Sequence, residues 1–404
     1  MLNWLHVHDK LFSWASNNTD KVSQEAKEYW DRLSGEESVQ MLQLEEPERT
    51  LPVYWHADGV RVYKQQKCWI YSFGCALKKG PSLSSKLFML LVRENLVWKP
   101  FTHDRIAELI GWIQGVLQRG VFPEHDFEGN AWPRGSPEAE KANRPFAGGY
   151  KLAFSGFKGD WEARVLLHKL PRSYNHNYIC EHCPASKLSG AFNYRNFAPD
   201  APYLQAQFTH NQYLLMTPPE LRSSWTHVPG WTKDRNLEDL LHVLHQGVAC
   251  CVIPALVCAH LEEKFGDALT LKKLDEELQG SAYTVKMMMY WVHAFMSDVA
   301  QETAGGPERA RLSYAFAQVQ WCFDSSGPWL SDFVRDRSVK LGWAFLMMYQ
   351  CMSAGNMTSA KRNFKIDEDL MKQLGHIASS THPNTMDSVT CNRYRALLEY
   401  GGIF

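Results

Sequence analysis

The sequence has no excess of positive charge: 43 Lys and Arg stand against 44 Asp and Glu, a formal net charge of −1. Proteins that grip nucleic acid autonomously usually carry a clear positive excess, so any such contact here must be local. Long apolar runs are also missing. The longest, Gly247 to Leu261, has about fifteen residues and contains Pro254 and His260, which is too short to span a bilayer and suits a buried helix. The N-terminus, MLNWLHVHD, has neither a basic stretch nor a continuous apolar segment, so no signal peptide is expected. There is no internal repeat or low-complexity tract. A Walker-type loop, a G-x-S-x-G elbow and a dinucleotide fingerprint are all absent, which removes the commonest nucleotide-hydrolase, esterase and dehydrogenase chemistries.

What is present is a large aromatic complement: 15 Trp, 16 Tyr and 20 Phe in 404 residues, enough to build one large domain or two ordinary ones. The ten cysteines are dispersed through apolar runs rather than set at the spacings of a secreted disulfide scaffold. That pattern fits a reducing compartment.

Residues 1–50 read as helical and amphipathic, then acidic and unstructured through Glu45 to Arg49, an appendage more than a domain. From Leu51 the period changes. Val53 to Val62, Cys68 to Leu77 and Lys86 to Arg93 read as three strands separated by polar or Gly/Pro/Ser turns, which suits an antiparallel meander. A helix over Thr102 to Arg119 follows, with Thr102 as N-cap and Ile106, Leu109, Ile110, Ile113, Val116 and Leu117 on one face. After a Pro/Gly-rich loop near 123–149 come a fourth strand, Lys151 to Phe157, and a helix from Trp161 to Leu170. Beyond Pro184 the pattern is mainly helical, with segments at Glu238 to Phe265, Leu271 to Leu278, Ala282 to Ala300, Pro307 to Ser325, Trp329 to Ala354 and Glu368 to Ser379. The expected organisation is an appendage over 1–50, an α/β core over 51–184, a helical insertion over 185–355 and a helical segment over 356–404 that completes the core. The order strand, strand, strand, helix, strand, helix is that of an RNase H-like core, a mixed sheet with flanking helices.

Two aspartates end strand-like runs: Asp58 in Leu51 to Gly59 and Asp160 after Lys151 to Gly159. Carboxylates held rigidly on neighbouring strands can share divalent ions for phosphodiester chemistry. Taken singly, each is as well explained as a turn-favouring residue at a strand end. Cys180-Glu-His-Cys183 could supply two thiolates to a structural Zn²⁺, with His242 and His245 of Asp239-Leu-Leu-His242-Val-Leu-His245 as the further ligands. The same histidines fit equally well as satisfied residues of a packed helix face. The Met-rich run Met287 to Met296 has the density of a buried helix and needs no ligand. A small-substrate hydrolase using His103, His168 and Asp160 with the histidine pair is a third arrangement, which no spacing demands.

On these residues the chain resembles the transposase of a eukaryotic cut-and-paste DNA transposon with a DDE-type, RNase H-like core. The resemblance runs from about Leu51 to Glu262, with a weaker echo near Phe364 to Tyr400. It matches Asp58 to the acid after the first strand and Asp160 to the acid after the fourth. Cys180 and Cys183 are similar to the family's C-x-x-C pair, and Asp239 and His242 to its later D-x-x-H. The resemblance implies catalytic Asp58, Asp160 and a late third acid, metal-dependent DNA strand cleavage and transfer with Mg²⁺ (or Mn²⁺), structural Zn²⁺, DNA as partner, no membrane, and a nuclear location. A homo-oligomer is a further expectation. Glu368, in a helix opened by Asp367-Glu368-Asp369, is the choice for the third acid, with Glu302 and Glu308 as alternatives. The segment before the core is short and not basic enough for a dedicated DNA-binding domain, and the chain ends soon after Glu368. The alternative is therefore a truncated or domesticated copy, a non-catalytic nucleic-acid or protein interaction module that keeps a zinc-stabilised fold.

Overall fold

Alternating apolar residues in three successive segments build the meander that opens the sheet. β1 (Thr50–Tyr63) pairs antiparallel with β2 (Gln66–Cys75), and β2 antiparallel with β3 (Lys86–Arg93). β4 (Lys151–Gly159) then lies parallel to β1 on its other side, and the short β5 (Asn236–Glu238) lies parallel to β4. The five-stranded mixed sheet has the order β3-β2-β1-β4-β5. The structure is a computed structural model, and it describes residues 2–63, 66–80, 85–99, 101–173, 175–194, 196, 200–238, 244–245, 248–266, 282–326 and 330–357.

The N-terminal helices α1 (Leu2–Val7), α2 (Leu11–Ala15), α3 (Val22–Arg32) and α4 (Glu37–Leu42) belong to the sheet's own unit, with Trp14 of α2 and Tyr29 and Trp30 of α3 buried. Trp14 meets Phe73 edge-on at 6.0 Å, and the buried Trp30 donates its indole N–H to Thr50 O at 2.7 Å. Burying such rings removes a large apolar surface from water while the indole keeps a hydrogen bond. The acidic stretch after α4 is also shaped: Pro47–Arg49 forms a 3-10 turn, and Glu46 pairs with Lys151 of β4 at 3.2 Å.

α5 (Phe101–Arg119) crosses one face of the sheet, burying Ile106, Ile110 and Leu117. Thr102 does not cap it; the helix starts at Phe101, and the Thr102 hydroxyl accepts from Trp98 N at 2.9 Å instead. Its buried Gln114 accepts from Trp55 Nε1 at 3.0 Å and donates to Leu152 O at 2.9 Å, so one amide side chain spans β1 and β4 with both ends satisfied. The short α6 (Pro137–Lys141) lies in the loop before β4, and α7 (Trp161–Leu167) follows β4 directly. This unit comprises residues 1–182 and 208–238, the latter holding α9 (His210–Leu215) and β5. Three residues with no alternation form β5, which is why sequence periodicity runs past it.

The second unit takes in residues 183–207, with the short α8 (Pro202–Gln205), and the helices from residue 244 onward. These are α10 (Cys250–Phe265), α11 (Ala282–Asp298), α12 (Gly306–Ser325) and α13 (Asp332–Met357). Val285, Met289, Val292 and Met296 recur at helical spacing and form a buried stripe on α11, facing a core that includes Ile253, Leu256, Leu312, Phe316 and Phe345. The methionine run is thus core on one side, while Met287 and Trp291 stay exposed on the other. In the segment expected to be helical from Glu238, Glu238 itself closes β5, the described residues Leu244, His245, Val248 and Ala249 are π-helical, and α-helix runs from Cys250. The expected helices Leu271 to Leu278 and Glu368 to Ser379 lie outside the described residues.

Candidate functional site

Pleating decides which side chains can meet on β1, because successive residues point to opposite faces. Trp55, Ala57, Phe73 and Tyr71 take the face covered by α5, where Tyr71 OH lies 2.7 Å from His103 Nδ1. His56 and Asp58 therefore take the opposite face. On β4 the partner of Trp55 is Phe157 and the partner of His56 is Lys158, whose ammonium sits 4.1 Å from the centre of the Tyr54 ring on that opposite face. The parallel register ends at His56 opposite Lys158; Asp58 comes two residues later within β1, and Asp160 two residues later, just past the end of β4. Both residues are half-buried. The pair lies at the carboxyl end of β4, where open α/β sheets commonly bind ligands.

Asp160 is fixed by more than its strand. It caps α7, its Oδ1 accepting from Ala163 N at 2.6 Å, with extended φ −63° and ψ 170°. The preceding Gly159 lets the helix turn back tightly. A Cβ there would stand 3.2 Å from Ala57 O and 3.3 Å from Ala163 Cβ, closer than ordinary contact. Gly156 does the same for β5, since its Cβ would meet Leu237 Cδ1 at 2.7 Å.

Behind the acid pair lies an ionic cluster that sequence reasoning misses. The guanidinium of Arg164 on α7 pairs with the Glu181 carboxylate, both about 95 % buried. Glu181 Oε1 also accepts from Asn236 Nδ2 of β5 at 3.2 Å and faces His182 Nε2 at 3.4 Å. His182 Nδ1 in turn lies 3.6 Å from Asp234 Oδ1, which the buried Lys233 ammonium also contacts. Burial by itself would lower the His182 imidazole, but hydrogen bonds to Asp234 and Glu181 outweigh it and raise it to about 9. Burial would raise Glu181, yet Arg164 and His182 hold it at about 2; for Asp234, His182 and Lys233 do the same, again to about 2. The sequence signal was there, in a Glu-His pair inside Cys180-Glu-His-Cys183, but spacing directed attention to the thiols flanking it.

Cys180 and Cys183 are both buried and not disulfide-bonded. Among the described residues no group of three or more His, Cys, Asp or Glu side chains is placed to hold a metal ion. His245, in the helical unit, is buried with Nε2 at 2.8 Å from Gln320 Oε1. His242, Asp239 and Glu368 lie outside the described residues. Of the alternatives for a third acid, Glu302 pairs with Lys264 at 2.7 Å and Glu308 stands 3.9 Å from Arg311, both within the helical unit. His103 and His168 belong to the core. His168 is enclosed by Phe157, Trp225 and Trp231, and burial pushes its imidazole down to about 3.

The chain matches no family model, no curated protein and no solved structure. The geometry of the site is therefore the ground on which a function is argued.

Proposed function

We propose that the sheet unit is an RNase H-like core of the DDE transposase type, whose chemistry is metal-dependent cleavage and transfer of DNA strands. What supports this reading is the sheet order β3-β2-β1-β4-β5 and the parallel pairing of β1 with β4, the two strands that carry or lead to Asp58 and Asp160. Two half-buried carboxylates suit Mg²⁺ or Mn²⁺, since such ions are usually held by one or two carboxylates together with water and substrate phosphate oxygens. When bound, the metal supplies a Lewis acid for the phosphodiester and an activated water or terminal hydroxyl. Asp58 sits within the paired part of β1, and Asp160 is held by its capping bond, its Oδ1 accepting from Ala163 N. On this reading DNA is the partner and the nucleus the location.

A calorimetric Mn²⁺ titration of the wild type beside Asp58→Asn and Asp160→Asn tests it, followed by Mn²⁺-stimulated nicking of plasmid DNA. Binding and nicking lost in both variants is the expected result. Unchanged binding in both variants refutes the paired-acid site.

The balanced charge of the chain favours one second reading, a non-catalytic nucleic-acid or protein interaction module on the same fold. A wild type that folds and retains zinc, yet neither binds Mn²⁺ nor cuts DNA, would select it.

A further inference from the structure

Asp160 reports the position of a helix that cannot hold itself. α7 has seven residues, and an isolated helix of that length is marginal in water, so its place must be set by tertiary contacts. Its C-terminal end has an anchor of its own, Ser223 Oγ donating to Leu167 O at 2.5 Å. Its first turn, the one joined to Asp160, is held differently. Arg164 N donates to Asp160 O at 3.0 Å, so the guanidinium and the capping acid belong to the same helical turn. That guanidinium ends on Glu181, and the same Glu181 oxygen takes Asn236 Nδ2, on the strand beside β4. One buried carboxylate thus grips both the helix that follows Asp160 and the strand that flanks β4.

We propose that Glu181 is a positioning residue for the metal site: through Arg164 and Asn236 it locks the first turn of α7 against β5 and so sets where the Asp160 carboxylate stands beside Asp58. This rests on the reading of Asp58 and Asp160 as metal ligands. Partners lying behind a metal's own ligands typically change affinity by about 10- to 100-fold when removed. A bond that fixes one ligand's helix belongs to that class, whereas a bond that merely adds stability leaves the affinity of the folded fraction untouched.

The test is a Mn²⁺ titration at 25 °C of the full chain and of Glu181→Gln, Arg164→Lys and the double variant Arg164→Met with Glu181→Leu. The double variant removes both charges, so it leaves no unpaired ion of this pair in the interior and keeps the test open should Glu181→Gln fail to fold. Met289→Ala, in the helical core, serves as a destabilised control. The expected result is a 10- to 100-fold loss of Mn²⁺ affinity in the folded Glu181 variants, a smaller loss in Arg164→Lys, and wild-type affinity in the control. Wild-type affinity in the folded double variant overturns the proposal while leaving the acid pair standing. A wild type whose Mn²⁺ binding is indifferent to Asp58→Asn and Asp160→Asn removes the acid-pair reading, and this proposal falls with it.

Discussion

The sheet unit and the helical unit bury different things. In the helical unit the core is a stripe-on-stripe packing of Val, Leu, Met, Ala and Phe, with polar exceptions such as His245 on Gln320 and Arg309 on Glu263. In the sheet unit, buried charge is concentrated where β4, α7 and β5 meet, in Arg164, Glu181, His182 and Lys233, with Asp234 at its edge. Charge buried in a low dielectric is costly unless every member is paired, so such a cluster ties stability to geometry in a way that apolar packing does not. A core of interchangeable apolar side chains tolerates adjustment; an ion network specifies one arrangement.

The strongest way to break this contrast is Glu181→Ala, which strands the Arg164 guanidinium in the interior and should cost about 3–5 kcal/mol by urea unfolding. A loss below about 1 kcal/mol would show that water reaches the cluster and that the contrast is one of appearance. In the helical unit, Met289→Ala should cost about 2–5 kcal/mol through lost burial and the cavity left behind. Hydrogen exchange should place that loss in α11 and α12 rather than in the sheet.

Next in size is a pH effect. His182 is held above its ordinary 6.5, at about 9, so its contribution is complete below about pH 6.5 and is lost as pH rises through about 9. Glu181 and Asp234 are held at about 2, so their contribution is present above about pH 4.5 and is lost as pH falls toward 2. The sheet unit should therefore lose on the order of 2 kcal/mol between pH 6.5 and 9.5, measured by thermal melts, and His182→Gln should remove that slope. The smallest effect separates two roles of one residue. Asp160→Ala should cost about 1 kcal/mol through the lost cap, whereas Asp160→Asn, an equally good cap, should leave stability unchanged while still abolishing Mn²⁺ binding.

Much of the architecture is legible in the sequence because it is written in short-range periodicity. β1 to β4, α5 and α7 fall where alternation and helical spacing place them, and so do α11, α12 and α13, each within a few residues. Where periodicity is silent, so is the sequence. β5 is three residues long, and the segment 208–238 that carries it rejoins the sheet unit after residues 183–207 have entered the other. The aromatic residues of α2 and α3 give no hint, read singly, that they pack against a sheet formed later in the chain. Asp58 and Asp160 could be named from their strand-end placement, but Arg164, Glu181, His182 and Asp234 could not. Their pairing spans separations of up to 52 residues, His182 to Asp234, and exists only once α7 and β5 stand on either side of the 180–182 segment.

Local patterns of apolar and polar residues are enough to name the sheet's faces, the helical core of the second unit and Asp160 just past β4, whereas Asp58 lies inside β1, which runs on to Tyr63. The fold, rather than residue spacing, pairs β1 with β4, brings α7 and β5 against β4 past Gly156 and Gly159, and joins α7 to β5 through Glu181. Those outcomes depend on strand order, register and the pairing of buried charge, and none of the three is encoded in the spacing of residues along the chain.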